Sequence, residues 1–136
     1  MSTVIAELES FIENWPATPE ENKKSFVRLK NYLAAKDGVG FDFKPRPGVT
    51  YSLRAVHEKQ KEQPLFVMVD VIEDEPRWLS ICFYASMVND PAEKGDFVPA
   101  GLMGEDAVCF DLAEYNEADI AYLESRLDEA IMCLAG

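Results

Sequence analysis

Histidine is nearly missing from this chain: His57 is the only one in 136 residues. That excludes metal sites built from several histidines, and it leaves Ser52 and Ser80, the candidate nucleophiles, with one base to share. The segment "HEKQK" starts like a zinc-protease helix but has Lys61 where the second ligand would stand. Cysteine is scarce as well. Cys82, Cys109 and Cys133 are odd in number, far apart, set among apolar neighbours and without a C-x-x-C pair, which predicts reduced core thiols in a cytoplasmic protein. "GVGFDF" lacks the third glycine of a dinucleotide fingerprint, and the chain holds no phosphate-binding G-x-x-x-x-G-K-[ST] loop. Long apolar runs are absent too: nothing approaches the roughly 18 residues that cross a bilayer. The inventory therefore predicts no catalytic residue, no cofactor, no metal and no membrane contact.

Positive charge is in short supply, and what there is lies unevenly. The net charge is -12, from 13 basic and 25 acidic residues. Residues 19–61 hold ten of the basic residues against five acids, a net of +5, whereas residues 62–136 carry -14. An acidic body opposes binding to a line of phosphates, so duplex DNA is not an expected partner. The basic segment leaves one alternative, a local face for nucleic acid or a smaller anion.

What is present is a globular pattern, 48% apolar and 28% charged. Ile5, Leu8, Phe11, Ile12 and Trp15 recur at helical spacing until Pro16. A second helix is predicted from Thr18 as N-cap and Pro19 as first residue, with Phe26, Leu29 and Leu33 inward and Gly38 at its end. The period then becomes two. Val39, Phe41 and Phe43 alternate with polar positions, as do Tyr51, Leu53 and Ala55, with a "PRPG" turn between them. "PLFVMVDVI" and "RWLSICFY" are apolar at both parities, as a strand covered on two sides would be. Residues 85–106 read as a long connection, "AVCFDL" as a further strand, and Asn116 as the cap of a last helix carrying Ile120, Leu123, Leu127, Ile131 and Leu134. The expectation is a single α+β domain, residues 1–136, with an antiparallel sheet of about five strands, two N-terminal helices and one C-terminal helix.

Candidate binding residues follow from that arrangement. Arg46, Arg54 and His57 read as polar tips along one hairpin, able to meet an anion. Trp78, Cys82 and Tyr84 share one parity of an apolar strand. "GDFVPAGLMGEDAVCFDL" reads as a loop in which Phe97 and Met103 cover one end of the sheet. Its adjacent carboxylates, Glu105 and Asp106, would point to opposite faces of a strand and so suit turn chemistry better than acid–base work. Asp70, in mid-strand, needs a sheet edge or a partner such as Arg54 or Arg77. A sheet apolar on both faces, with three helices to cover it, predicts a homodimer. The function these residues predict is a non-catalytic cytoplasmic module that binds a protein, or a small or anionic ligand, through its apolar sheet face and the 95–104 loop.

From residue 64 onward, "PLFVMVDVIEDEP", "DFVPAGLMGEDAVCFDL" and "YNEADIAYLESRLDEAIMCL" resemble the small YjbR-like proteins, whose domain is described as a double wing. The resemblance spans roughly residues 49–134. It implies an inner strand, a polar turn, a loop into an aromatic-rich strand and a closing helix. Members tend to have basic residues and a tryptophan before the penultimate strand, where this chain has the acidic "GLMGEDAVCF".

Overall fold

The computed structural model describes residues 2–60 and 62–135; Lys61, one of the ten basic residues counted above, lies outside them. Two helices, α1 (Ser2–Glu13) and α2 (Asn22–Ala34), lead into four consecutive strands: β1 (Val39–Arg46), β2 (Thr50–His57), β3 (Val67–Ile72) and β4 (Trp78–Tyr84). A hairpin, β5 (Asp96–Leu102) and β6 (Glu105–Leu112), then precedes α3 (Glu117–Ala135). The strands form one antiparallel sheet in the order β1-β2-β3-β4-β6-β5. The class is α+β, as the segregation of strands from helices predicts, but with six strands rather than five. Among the described residues no helix is long and apolar enough to cross a membrane.

One side-chain parity of the sheet makes the core. Phe43, Leu53, Val69, Val71, Leu79, Ile81, Phe83, Val108, Phe110 and Leu112 are buried against Leu8, Trp15, Phe26, Leu29, Leu33, Ile120, Leu123 and Leu127 of the helix layer. Each of these side chains contributes roughly 1.5–3 kcal/mol by leaving water, so the period of two in the strands and of 3.6 in the helices fixes which face meets which.

Three boundaries differ from the sequence reading. Thr18 does not cap α2. The helix starts three residues later than predicted, at Asn22, after Glu21 in a left-handed conformation, and its start is set by tertiary bonds. The buried Asn22 amide donates to the carbonyls of Arg77 at 2.6 Å and Ala113 at 3.0 Å, and Tyr115 N–H donates to Glu20 O at 2.8 Å. Gly38 does not end α2 but turns the chain into β1 at φ 80, where a Cβ would stand 2.9 Å from the His57 ring. Most of the supposed connection before β6 is the edge strand β5. Asn116 does cap α3, its Oδ1 accepting Asp119 N–H at 3.0 Å.

Candidate functional site

With all three helices on one side, the other parity of the sheet forms a second face that no described helix crosses. Cross-strand pairing arranges it in rows. One runs Arg46, Thr50, Ile72, Trp78. The next runs Lys44, Ser52, Asp70, Ser80, Asp111. A third runs Asp42, Arg54, Met68, Cys82, Cys109, Asp96. At the far end, Val56 and Met68 pack with a small second core of Leu65, Tyr84, Leu102 and Ala107. The face is mostly apolar along its middle strands, where Asp70 and Ser80 interrupt Ile72, Trp78, Met68 and Cys82, and charged on both flanks.

The flanks differ in sign. On β1 and β2, Lys44, Arg46 and Arg54 outnumber Asp42, to which Lys44 is tied at 3.3 Å. The Arg54 guanidinium donates to Ser52 Oγ at 3.2 Å. On β6 and β5 the charged groups of this parity are Glu105, which accepts from the Gln63 amide, Asp111 and Asp96. Partial burial first, and the Asp96 charge second, push the Asp111 carboxyl above its usual range. Between the flanks Asp70 is held up by burial, against a hydrogen bond from Ser52 and the charge of Arg54, and its Oδ1 is buried without a partner. It lies on an inner strand, not at an edge. Arg77, the other partner proposed for it, is bound to Glu73 at 3.0 Å.

The predicted site residues divide. Arg46, Arg54 and Trp78 lie on this face together; Trp78 is half-buried and its indole N–H donates to Asp74 at 3.3 Å. His57 does not join the two arginines. It shares the parity of Leu53 and Ala55, is 7% exposed, accepts Lys59 N–H at its Nδ1 and sits edge-on to Phe66. Tyr84 has the right parity but is fully buried, because Leu65 and Leu102 fold over it. Phe97 and Met103 are exposed, at 63% and 46%, on the β5–β6 hairpin at the sheet edge. Glu105 and Asp106 have separate structural tasks. Glu105 accepts from the Gln63 amide, and the Asp106 carboxylate accepts Ala100 N–H at 3.0 Å across the bulge in β5.

The cysteine reading is overturned. Cys82 and Cys109, directly opposite on β4 and β6, form a disulfide on the uncovered face, and Cys133 is exposed on α3. The sequence reading put the cysteines in the core as separate thiols; the adjacency of β4 and β6, which sets Cys82 directly opposite Cys109, was the missing link. With that bond, composition no longer argues for a reducing compartment.

A second hollow, of about 540 Å³, lies between α1 and the β1–β2 hairpin, lined by Phe11, Phe43, Tyr51 and Arg77. The Arg77 guanidinium already stacks over Phe11, Trp15 and Tyr51 at 5.0–5.4 Å and pairs with Glu73, so its charge is spent within the fold. Among the described residues no three His, Cys, Asp or Glu side chains come together to hold a metal. Comparison of the chain with protein-family models, with curated proteins and with solved structures finds no match in any of the three. The YjbR-like resemblance therefore carries no argument about this site.

Proposed function

We propose that this protein is a non-catalytic binding module whose working surface is the sheet face free of helices. The observation that carries the reading is that face itself: Met68, Ile72 and Trp78 lie half-buried on it between flanks of opposite charge. Faces of that composition, an apolar middle within a polar rim, are what protein partners cover. A uniformly anionic polymer would gain little, since Asp42, Asp70, Asp96 and Asp111 stand on the same face as Lys44, Arg46 and Arg54. Arg28 and Lys36 of the basic segment are paired with Glu117, Glu124 and Asp128 in the helix layer, on the other side of the sheet.

Oxidative footprinting tests the reading. Trp78 and Met68 are expected to be modified in the dilute purified chain and protected in native cell extract. Met132, 72% exposed on α3, is expected to react equally in both. Protection of Met132 with Trp78 and Met68 left reactive would move the binding surface to the helix layer and overturn the proposal.

A further inference from the structure

The face has a property that selects its partner. Its cations stand on β1 and β2, its unpaired anions on β6 and β5, and these pairs of strands flank β3 and β4 symmetrically in the order β1-β2-β3-β4-β6-β5. A surface positive on one side of its midline and negative on the other is complementary to itself after rotation by half a turn. We infer that the partner is a second copy of this chain, stacked face to face about a two-fold axis that runs along the strands between β3 and β4. The inference rests on the proposed use of this face.

Two kinds of two-fold can stack these sheets, and charge decides between them. An axis across the strands lays β1 on β1 and β6 on β6, so that the strands carrying Lys44, Arg46 and Arg54 stack on one another and those carrying Asp96 and Asp111 do the same. An axis along the strands lays β1 and β2 over the partner's β5 and β6, so that Asp111 falls over the partner's Ser52, next to the partner's Lys44 in that row, and Asp96 over the partner's Asp42, next to the partner's Arg54. In that arrangement β3 crosses the partner's β4 in register. Trp78 then falls over the partner's Ile72, Met68 over the partner's Cys82, and Asp70, whose Oδ1 lacks a partner, over the partner's Ser80 hydroxyl. Aligned sheets pack at about 30°, so these overlaps hold best along the central strands. The area is of the right order. Six strands at about 4.8 Å by seven residues at about 3.3 Å give a patch of roughly 29 by 23 Å, near the ~800 Å² per partner of a standard interface.

Sedimentation equilibrium of the full chain, with charge reversals, tests this. Wild type is expected to dimerise in the micromolar range and to loosen as salt is raised. Arg54→Glu alone, and Asp96→Lys with Asp111→Lys, are each expected to weaken the dimer roughly tenfold or more, while mixing the two variants restores it, since each new glutamate then stands beside a new lysine. Lys59→Glu, the same change of net charge in the exposed turn after β2, is expected to leave it unaltered. Circular dichroism confirms folding. Should Arg54→Glu not fold, Lys44→Glu with Arg46→Glu, both on exposed side chains, replaces it. A wild type that stays monomeric at about 100 μM overturns the inference, as does a dimer indifferent to all the reversals. Arg54→Glu pairing with wild type better than wild type pairs with itself would place the axis across the strands and overturn the arrangement. In each case protection of Trp78 and Met68 in extract would still stand or fall separately, by a partner of another kind.

Discussion

Asp70 is an ionisable group on an inner strand, with Ser52 and Ser80 as its cross-strand neighbours. Burial raises its folded-state pKa above the usual carboxylate range, so the folded chain keeps the proton to higher pH than the unfolded one. Between the unfolded value, about 3.9, and the raised folded value, the unfolded state binds fewer protons and stability falls as pH rises. Below that window Asp70 is neutral in both states and costs nothing; above it the fold carries an ionised, partly desolvated carboxylate. Asp70→Asn removes the ionisation and keeps the shape. Thermal midpoints at low protein concentration are expected to match wild type near pH 3 and to exceed it at pH 7. Equal midpoints at pH 7 would mean that Ser52 and Arg54 already offset the burial. The cysteines give a second residue-scale result. One thiol, Cys133, is expected to label rapidly in the native chain, and Cys82 and Cys109 only after a reductant is added. For a loop of 27 residues, opening that bond lowers stability by about 3 to 4 kcal/mol on a loop-closure account. Two or more fast thiols without reductant would contradict the pairing.

At the scale of elements, the β5–β6 hairpin is where sequence and structure part most. Leu102 pairs with Glu105 across a two-residue turn, Met103–Gly104, with φ 51 and 82. Positive φ at both central positions is the type I′ geometry that follows strand twist and favours Asn-Gly. Methionine there is strained. Met103→Asn is expected to stabilise by roughly 0.5–1 kcal/mol, raising the melting temperature by about 2–4 °C for a domain of this size. A lowered midpoint would mean that the Met103 side chain packs in a way its exposure does not indicate. The turn was concealed because "FVPAGLMG" contains the residues of a loop and no alternation. β5 is an edge strand, exposed along its length except at Leu102, and a strand with no buried face leaves no period to read. The strands that do bury a face were legible down to parity. Parity sets Arg54 on the face opposite Leu53 and Trp78 on the face opposite Leu79, whereas Arg46, which the sequence reading put in the "PRPG" turn, lies in β1; parity would also have separated His57 from the arginines, since its position follows Leu53 and Ala55. Tyr84 could not be assigned that way, since its burial depends on Leu65 and Leu102, distant in sequence. The start of α2 was hidden for a related reason: Asn22 is held by Arg77 and Ala113, contacts no local signal announces.

For the molecule as a whole, the uneven charge map acquires a structural use. The basic face of α2 lies against the acidic α3. Arg28 donates to Glu124 twice, at 3.0 and 3.1 Å, to Glu117 at 2.7 Å and to Tyr115 at 2.8 Å, which holds its pKa above its ordinary value. Tyr32 donates to Asp128, and Lys36 pairs with it at 3.2 Å. The +5 and -14 segments thus neutralise each other in part across the helix layer, and of the other described cations in the +5 segment Lys23, Lys24 and Lys30 lie on α2, Lys44, Arg46 and Arg54 on the open sheet face and Lys59 in the turn after β2. Duplex DNA presents phosphates in a continuous line, and a protein gains affinity by neutralising several at once. Among the described residues no more than Lys44, Arg46 and Arg54 are gathered on the open face, and Asp42, Asp70, Asp96 and Asp111 stand within the same patch. An acidic body is repelled over about a Debye length, roughly 8 Å at physiological salt. The expected outcome is no saturable duplex binding by fluorescence anisotropy at 150 mM salt, with a Kd weaker than roughly 10⁻⁴ M, the weak end of non-specific binding. Saturation at low micromolar duplex, lost on changing Arg46 and Arg54 to alanine, would show that three cations outweigh the field of the whole chain. The open face would then be a polyanion surface and not a protein one.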